Sequence, residues 1–339
     1  MRPLSALTDG IRVASRAPVV LAGVYVVTLL TALPLSLLMR SALASHLGNS
    51  MIAEQVARGV HVQWWSEFVS QSGTSGETFR TTIIGFAAVL DNISALADGR
   101  ARPAPILWIG AFYLLAWLFL SGGVLDRYAR GRPTRAHEFF AACGIFFMRF
   151  LRLAPLAAAI YYVLFAGVHP LLFDGVYGEL TRDVTAERSA FFVRVVLYLA
   201  FGLLLAAVNV IFDYAKVRAV VEDRRSMIGA LAAGARFVRR NAGPVALLYV
   251  LNMGIFVAVL LVYALVAPGA ESAGAGVWFG FAISQLYLLA RLWVKLVFLA
   301  SETVFFQGRL AHAGYIARLP MPRPEPPIVE RAISPEPRM

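Results

Sequence analysis

Asp126, Asp213, Arg291 and Lys295 are charged residues embedded in otherwise apolar sequence. Asp126 and Asp213 close the second and fourth of six apolar runs, in Leu125-Asp126-Arg127-Tyr128-Ala129-Arg130 and Phe212-Asp213-Tyr214-Ala215-Lys216. The sixth run carries Arg291-Leu292-Trp293-Val294-Lys295 at the matching depth. Its two cations are four residues apart and so share a helix face. Such a set supports one of two chemistries. It could form a polar relay or anionic-substrate site, or it could form ion pairs that tie helical hairpins together at their cytoplasmic ends. An unpaired cation at mid-membrane costs at least about 2.5–3.5 kcal/mol on insertion scales, and snorkelling near the boundary lowers that cost. All four residues fall near the interface, which favours the structural pairing. Asn209 and Asn252 add possible interhelical hydrogen bonds, each worth about 1 kcal/mol or less. Gly276-Val277-Trp278-Phe279-Gly280 offers a small-residue helix contact.

Other chemistry finds little support. The histidines are His46, His61, His137, His169 and His312. His137-Glu138 is followed by Ala141 where a zincin helix needs its second histidine. His46 and His61 have no flanking ligands and read as surface residues. No nucleophile elbow, Walker loop or dinucleotide fingerprint occurs, so neither a catalytic residue, a metal nor a cofactor is expected. Cys143 is the only cysteine, which rules out an intrachain disulfide. Its apolar setting, Ala141 to Phe147, predicts a buried, inert thiol.

The elements that must position these residues are membrane spans. Of 339 residues, 59% are hydrophobic and 15% charged, against roughly 25% charged in soluble domains, and the mean hydropathy is +0.69. A bilayer core needs about 20 apolar residues per helix. Six runs qualify: Pro18 to Leu38, Pro105 to Val124, Leu153 to Phe173, Ala190 to Phe212, Pro244 to Val266 and Val277 to about Ala300. The net charge of +11 is unevenly placed. The loop from Asp126 to Arg152 holds six arginines, and Asp213 to Asn241 holds seven Lys or Arg. On the other side, Asp174 to Arg188 has two arginines against four acids, and Pro268 to Gly276 has only Glu271. Positive-inside asymmetry puts both termini and both basic loops in the cytoplasm. Anionic phospholipids are then the expected partner, not nucleic acid. A membrane-protein partner or a second copy of the chain remains open.

A pattern also recurs three times: a basic stretch, a proline, an apolar run, an outside loop and a second apolar run. The entries are Gly10-Ile11-Arg12 to Pro18, Gly144 through Arg149 and Arg152 to Pro155, and Gly234-Ala235-Arg236 through Arg239-Arg240 to Pro244. Each lead-in is expected to be an amphipathic helix on the cytoplasmic surface. In the third, Ile228, Leu231, Ala235 and Val238 form the apolar side at helical spacing. Proline suits the first turn of the helix that follows. The first hairpin carries an insert at 40–103, expected to be periplasmic, with five arginines and five acids between Arg40 and Arg102. Its Gln63-Trp64-Trp65-Ser66-Glu67-Phe68 reads as an interfacial anchor. Thr81 to Ala97 reads as a capping helix with Ile83, Phe86, Leu90, Ile93 and Ala97 on one face. The expected organisation is a six-helix membrane domain at 1–300, an amphipathic cytoplasmic extension at 301–319 and a disordered Pro-rich tail at 320–339. The fold class is all-α and polytopic, with three hairpin repeats.

The unit Asn209-Val210-Ile211-Phe212-Asp213-Tyr214-Ala215-Lys216-Val217-Arg218-Ala219-Val220-Val221-Glu222, followed by Ala230 to Asn241, resembles a broad bacterial group. That group comprises the six-helix membrane domain of some glycerophosphodiester phosphodiesterases and many uncharacterised stand-alone membrane proteins. The likeness spans roughly Asp126 to Ala300. No soluble stretch approaches the roughly 250 residues of the catalytic barrel, so the resemblance carries no phosphodiesterase activity. It implies a stand-alone inner-membrane protein of a Gram-negative bacterium. The expected role is non-enzymatic: organising lipids or partner proteins at the cytoplasmic face. The alternative is a transporter or channel for a small or lipid-like solute.

Overall fold

The computed structural model describes residues 1–48, 50–58, 61–72, 85–100, 104–267 and 274–310. The chain folds into helices: α1 (Pro3–Ser15), α2 (Pro18–Leu47), α3 (Ile52–Arg58), α4 (Val62–Gln71), α5 (Gly85–Ala97), α6 (Ala104–Arg130), α7 (Ala136–Leu151), α8 (Ala154–Thr181), α9 (Glu187–Val221), α10 (Met227–Arg240), α11 (Ala242–Val266) and α12 (Ala275–Arg309). No strand occurs among the described residues. Six of the helices, α2, α6, α8, α9, α11 and α12, are long and apolar enough to cross a bilayer. The protein is an all-α, multi-pass membrane protein.

The spans overrun the predicted boundaries. α2 continues to Leu47 and holds Pro34 inside it, so the insert begins eight residues later than expected. α9 and α12 are each 35 residues long, about 52 Å at 1.5 Å per residue and well beyond the roughly 30 Å hydrocarbon core. The overrun of α2 and α8 lies at the insert end, whereas that of α6, α9 and α12 lies mainly at the other, here termed the basic end. There the C-terminal turns of α6, α9 and α12 meet the short helices α1, α7 and α10. α7 packs on α6, α10 on α9, and α1 on α12, the last of the described helices. α6, α9 and α12 also touch one another in the middle of the bundle.

The core sits at that end. Leu125, Phe150, Tyr214, Val217, Val221, Leu296, Phe305 and Phe306 are all buried there. Residues 301–309, the first part of the expected amphipathic extension, continue α12 without a break, with Ser301, Glu302, Thr303, Phe305 and Phe306 buried. The opposite half of each span keeps large apolar side chains exposed, among them Leu114, Leu199, Leu261 and Phe281, as lipid-facing surface should.

Close approach explains the choice of residues between the short helices and the spans. A Cβ on Gly234 would stand 3.1 Å from the Ala215 nitrogen, and one on Gly123 would stand 2.5 Å from Cys143 Sγ. α10 therefore packs through its small face, with Met227, Ala230, Ala233 and Gly234 buried. Of the apolar side read from the sequence, Ile228 is exposed at 76%, whereas Leu231 and Val238 pack partly buried against the core.

Insert contacts differ from those predicted. Trp64 is buried: it stacks on Phe68 and donates from Nε1 to His46 Nδ1 at 3.1 Å, so it is not an interfacial anchor. His61 caps α4 by accepting from the Trp64 backbone at 3.2 Å. Leu90, Ile93 and Leu96 of α5 are exposed, so this part of the expected capping face does not pack on the protein. Ile83 and the stretch from Pro320 onward lie outside the described residues. α5 is moored at its end. The Tyr198 hydroxyl donates to Asp98 at 2.5 Å, and His169 Nε2 donates to the Ala97 carbonyl at 2.8 Å. His169 precedes Pro170 between two π-helical segments of α8, Leu164–Val168 and Leu171–Val176. Pro170 lacks the N–H that a regular turn requires.

Candidate functional site

Three of the four predicted charges gather near the basic end, in a different pairing from that expected. Asp213 binds Lys216 at 2.6 Å and accepts from Asn209 Nδ2 at 3.0 Å, both on its own helix. Asp126 pairs with Arg130 of its own helix at 2.9 Å and stands apart from the other three. Among the described residues neither Arg291 nor Lys295 makes an ion pair. Among the described residues Asp126 and Asp213 form no bridge to another hairpin, for a local reason: each has a cation three or four residues on, already in position without ordering a second helix.

Lys295 lies against rings instead of carboxylates. Its ammonium is 3.5 Å from the centre of the Trp117 ring and 5.3 Å from that of Tyr113, one turn apart on α6. A desolvated cation–π contact is worth about 2 kcal/mol or more, of the same order as the cost of placing the charge there. The charges of Lys216, Arg291 and Asp213 all reach Lys295.

Sequence reasoning missed Glu302. It is 3% exposed, with Oε2 unpartnered, and lies within electrostatic reach of Asp213 and Lys216. Tyr214, also buried with an unpartnered hydroxyl, adjoins Glu302, and Tyr161 and Tyr249 border the same group from α8 and α11. Four spans thus converge on a polar floor of mixed charge. The signal was present in the sequence: Asp126, Asp213 and Glu302 occupy comparable places near the ends of the second arms.

Asn252 does form an interhelical bond. It is buried, donating to Ser301 Oγ and to the Leu248 carbonyl, each at 3.0 Å. Asn209 bonds Asp213 within its own helix and also lies within hydrogen-bonding reach of Tyr249 of α11. Gly280 is buried but Gly276 is exposed, so the two do not form a paired contact. Cys143 is fully buried, and burial pushes its thiol up to about 11.

The remaining bonds tie the basic end together. Arg149 of α7 reaches Asp223 at 2.6 Å and the Arg224 carbonyl at 3.3 Å. Arg218 donates to the Ala233 carbonyl at 3.2 Å, and Gln307 to the Ala129 carbonyl at 2.9 Å. Arg149 is therefore a brace, whereas Arg152, Arg236, Arg239 and Arg240 are exposed. No group of three His, Cys, Asp or Glu side chains is placed to hold a metal among the described residues.

Comparison with known proteins gives no match to any family model, curated protein or solved structure.

Proposed function

We propose that this chain is a non-enzymatic, multi-pass inner-membrane protein whose basic end faces the cytoplasm and organises anionic phospholipid there. One observation carries the reading. α7 packs on the protein through Ala142, Cys143, Phe146 and Phe150 and α10 through Met227, Ala230, Ala233 and Gly234, and each leaves exposed apolar side chains and exposed arginines on the same helix or its caps. α10 keeps Ile228 exposed beside Arg236, Arg239 and Arg240; α7 keeps Phe140, Ile145 and Met148 exposed beside Arg152. A helix with that surface lies in the headgroup layer. The packing of α7 on α6, α10 on α9 and α1 on α12 also supports the three-hairpin repeat, with the first and last of the described helices closing a ring. The sequence resemblance drawn above to the membrane domain of some glycerophosphodiester phosphodiesterases is in keeping with a lipid-facing role.

Spin-labelled lipids test the proposal. Each surface arginine contributes about 1 kcal/mol of attraction to an anionic leaflet. Replacing Arg236, Arg239 and Arg240 with glutamine should therefore cut the preference for phosphatidylglycerol over phosphatidylcholine by up to about a hundredfold. Equal immobilisation of the two lipids by the parent protein would refute the reading. For orientation, Arg224→Cys in a Cys143→Ala background should resist impermeant maleimide in intact cells. Labelling from outside would reverse the topology.

A further inference from the structure

Arg291, Lys295 and Glu302 recur at i, i+4 and i+11 and so share one face of α12. That face looks into the bundle. Ser284, also on it, meets the Tyr263 hydroxyl at 3.5 Å, Lys295 lies on Trp117, and Glu302 adjoins Asp213. A residue on this face would ordinarily be covered, yet Arg291 is exposed. The facing stripe of α9 shows the same pattern. Lys216 and Asp213 are partly covered, while Asn209, one turn further from the basic end and within reach of Tyr249 of α11, is exposed, and a Cβ on Gly202 would meet nothing within 4 Å. The two helices come together at the level of Lys216 and Glu302, and beyond that level Arg291 and Asn209 are both exposed. The exposed stretch has cations at its base and apolar side chains beyond them. Leu199 of α9, at 63% exposure, and Phe281 of α12, at 57%, continue the same stripes toward the insert end.

The charges at this floor do not balance locally. Lys216 and Asn209 already occupy the Asp213 carboxylate. Arg291 and Lys295 have no carboxylate at ion-pair distance among the described residues, and a phosphate oxygen is the acceptor that a guanidinium and an ammonium recognise together. Depth selects the source of that phosphate. Arg291 is sixteen residues from Ala275, about 24 Å along the helix. It lies just within a hydrocarbon layer of about 30 Å measured from the insert end. A phosphate held there must bring its apolar chains along the apolar side chains already exposed beyond it.

We infer that the exposed stretch of α9 and α12 holds one anionic phospholipid, its phosphate on Arg291 and Lys295 and its acyl chains along Leu199 and Phe281. The site is separate from the surface helices and does not depend on their proposed role.

Native mass spectrometry of the full chain in micelles containing equal phosphatidylglycerol and phosphatidylcholine tests it. The parent protein should keep one phosphatidylglycerol after loosely held lipid is stripped. Arg291→Gln with Lys295→Gln should lower that adduct roughly tenfold or more, while the Arg236, Arg239 and Arg240 glutamine variant should keep it. Equal retention by the double variant, or equal retention of phosphatidylcholine by the parent, overturns the proposal. If the double variant does not assemble, acylation of Lys295 in the parent protein decides the matter. Phosphatidylglycerol should protect the amine and phosphatidylcholine should not. Equal protection by both lipids, or protection by inorganic phosphate matching that by phosphatidylglycerol, overturns the lipid assignment, the last result in favour of a soluble anion.

Discussion

Gly10 is where α1 is locked to α12, and adding one methyl group there should loosen the fold. A Cβ on Gly10 would stand 2.6 Å from Ser301 Cα, 2.6 Å from Ser301 Cβ and 2.7 Å from its nitrogen. Two of the three are backbone atoms, so no rotamer change relieves the overlap, and α1 must lift off α12. Overpacking of this kind costs about 1–3 kcal/mol. Gly10→Ala also gains about 0.8–1.0 kcal/mol of helix propensity, which masks part of the loss. Gly144 of α7 supplies the correction, because a Cβ there meets nothing within 4 Å. Gly144→Ala should thus be stabilising by roughly the propensity difference alone. The gap between the two variants isolates the packing cost, and it should be about 1–3 kcal/mol. Ser301 also accepts from buried Asn252 at 3.0 Å, so displacing it strains a second bond. Ser301→Gly should rescue Gly10→Ala only in part, since it removes the Cβ clash and leaves the other two. The assay is thermal denaturation in one detergent, read as the monodisperse fraction on size exclusion. Equal shifts for Gly10→Ala and Gly144→Ala would refute the claim that α1 closes onto the end of α12.

Three other outcomes are expected. A double-mutant cycle on Asn252→Ala and Ser301→Ala should show coupling of about 0.6–1.7 kcal/mol, the range for hydrogen bonds between membrane helices; strictly additive losses would mean the bond contributes nothing. Cys143, with its thiol raised to about 11 by burial, should resist maleimide at neutral pH until the protein is denatured. Modification at the rate of a free thiol would contradict its packing against Gly123. Asp98 is held below its ordinary value of 3.8, chiefly by the Tyr198 hydroxyl. Its contribution to holding the end of α5 is therefore present above pH 3.8 and lost as pH falls through the lower folded value. Hydrogen exchange at Ala97 to Arg100, corrected for intrinsic rate, should speed up in acid and in Tyr198→Phe at neutral pH. Unchanged protection in that variant would dismiss the mooring.

The spans were legible because apolar length is a coarse signal that no local contact overrides. The partners of the charges were not. Asp126 and Asp213 stood out in the sequence, but sequence distance in a folded bundle favours the cation one turn away, and Arg130 and Lys216 took those places. Glu302 was missed because a hydropathy window stops where charge begins, whereas α12 continues nine residues past Ala300, protected by α1 and α10. On α10 the apolar stripe did not reveal which residues would make the closest protein contact: Gly234 and its neighbours do so, with Leu231, Phe237 and Val238 partly covered, and Ile228 is left outside. Cys143 and Asn252 were easier, since their surroundings are local to one or two apolar helices.

The position of the core explains why this stretch is exposed at all. In hydrocarbon, bringing two apolar helices together releases no water, so association there depends on packing and polar contacts alone. In the proposed placement, the ends of α6, α9 and α12 emerge toward headgroups and water, where covering Phe305, Phe306, Val217 and Tyr214 does remove apolar surface from a polar medium. The stabilising contacts therefore concentrate at the basic end, and α1, α7 and α10 supply the cover. Toward the insert end, nothing comparable pulls the spans together, and lipid solvates Leu199 and Phe281 as well as a protein neighbour would. Exposure beyond Lys216 and Glu302 thus costs little stability. It leaves open the level of the bundle where Arg291 and Lys295 can meet an anion without first breaking an ion pair.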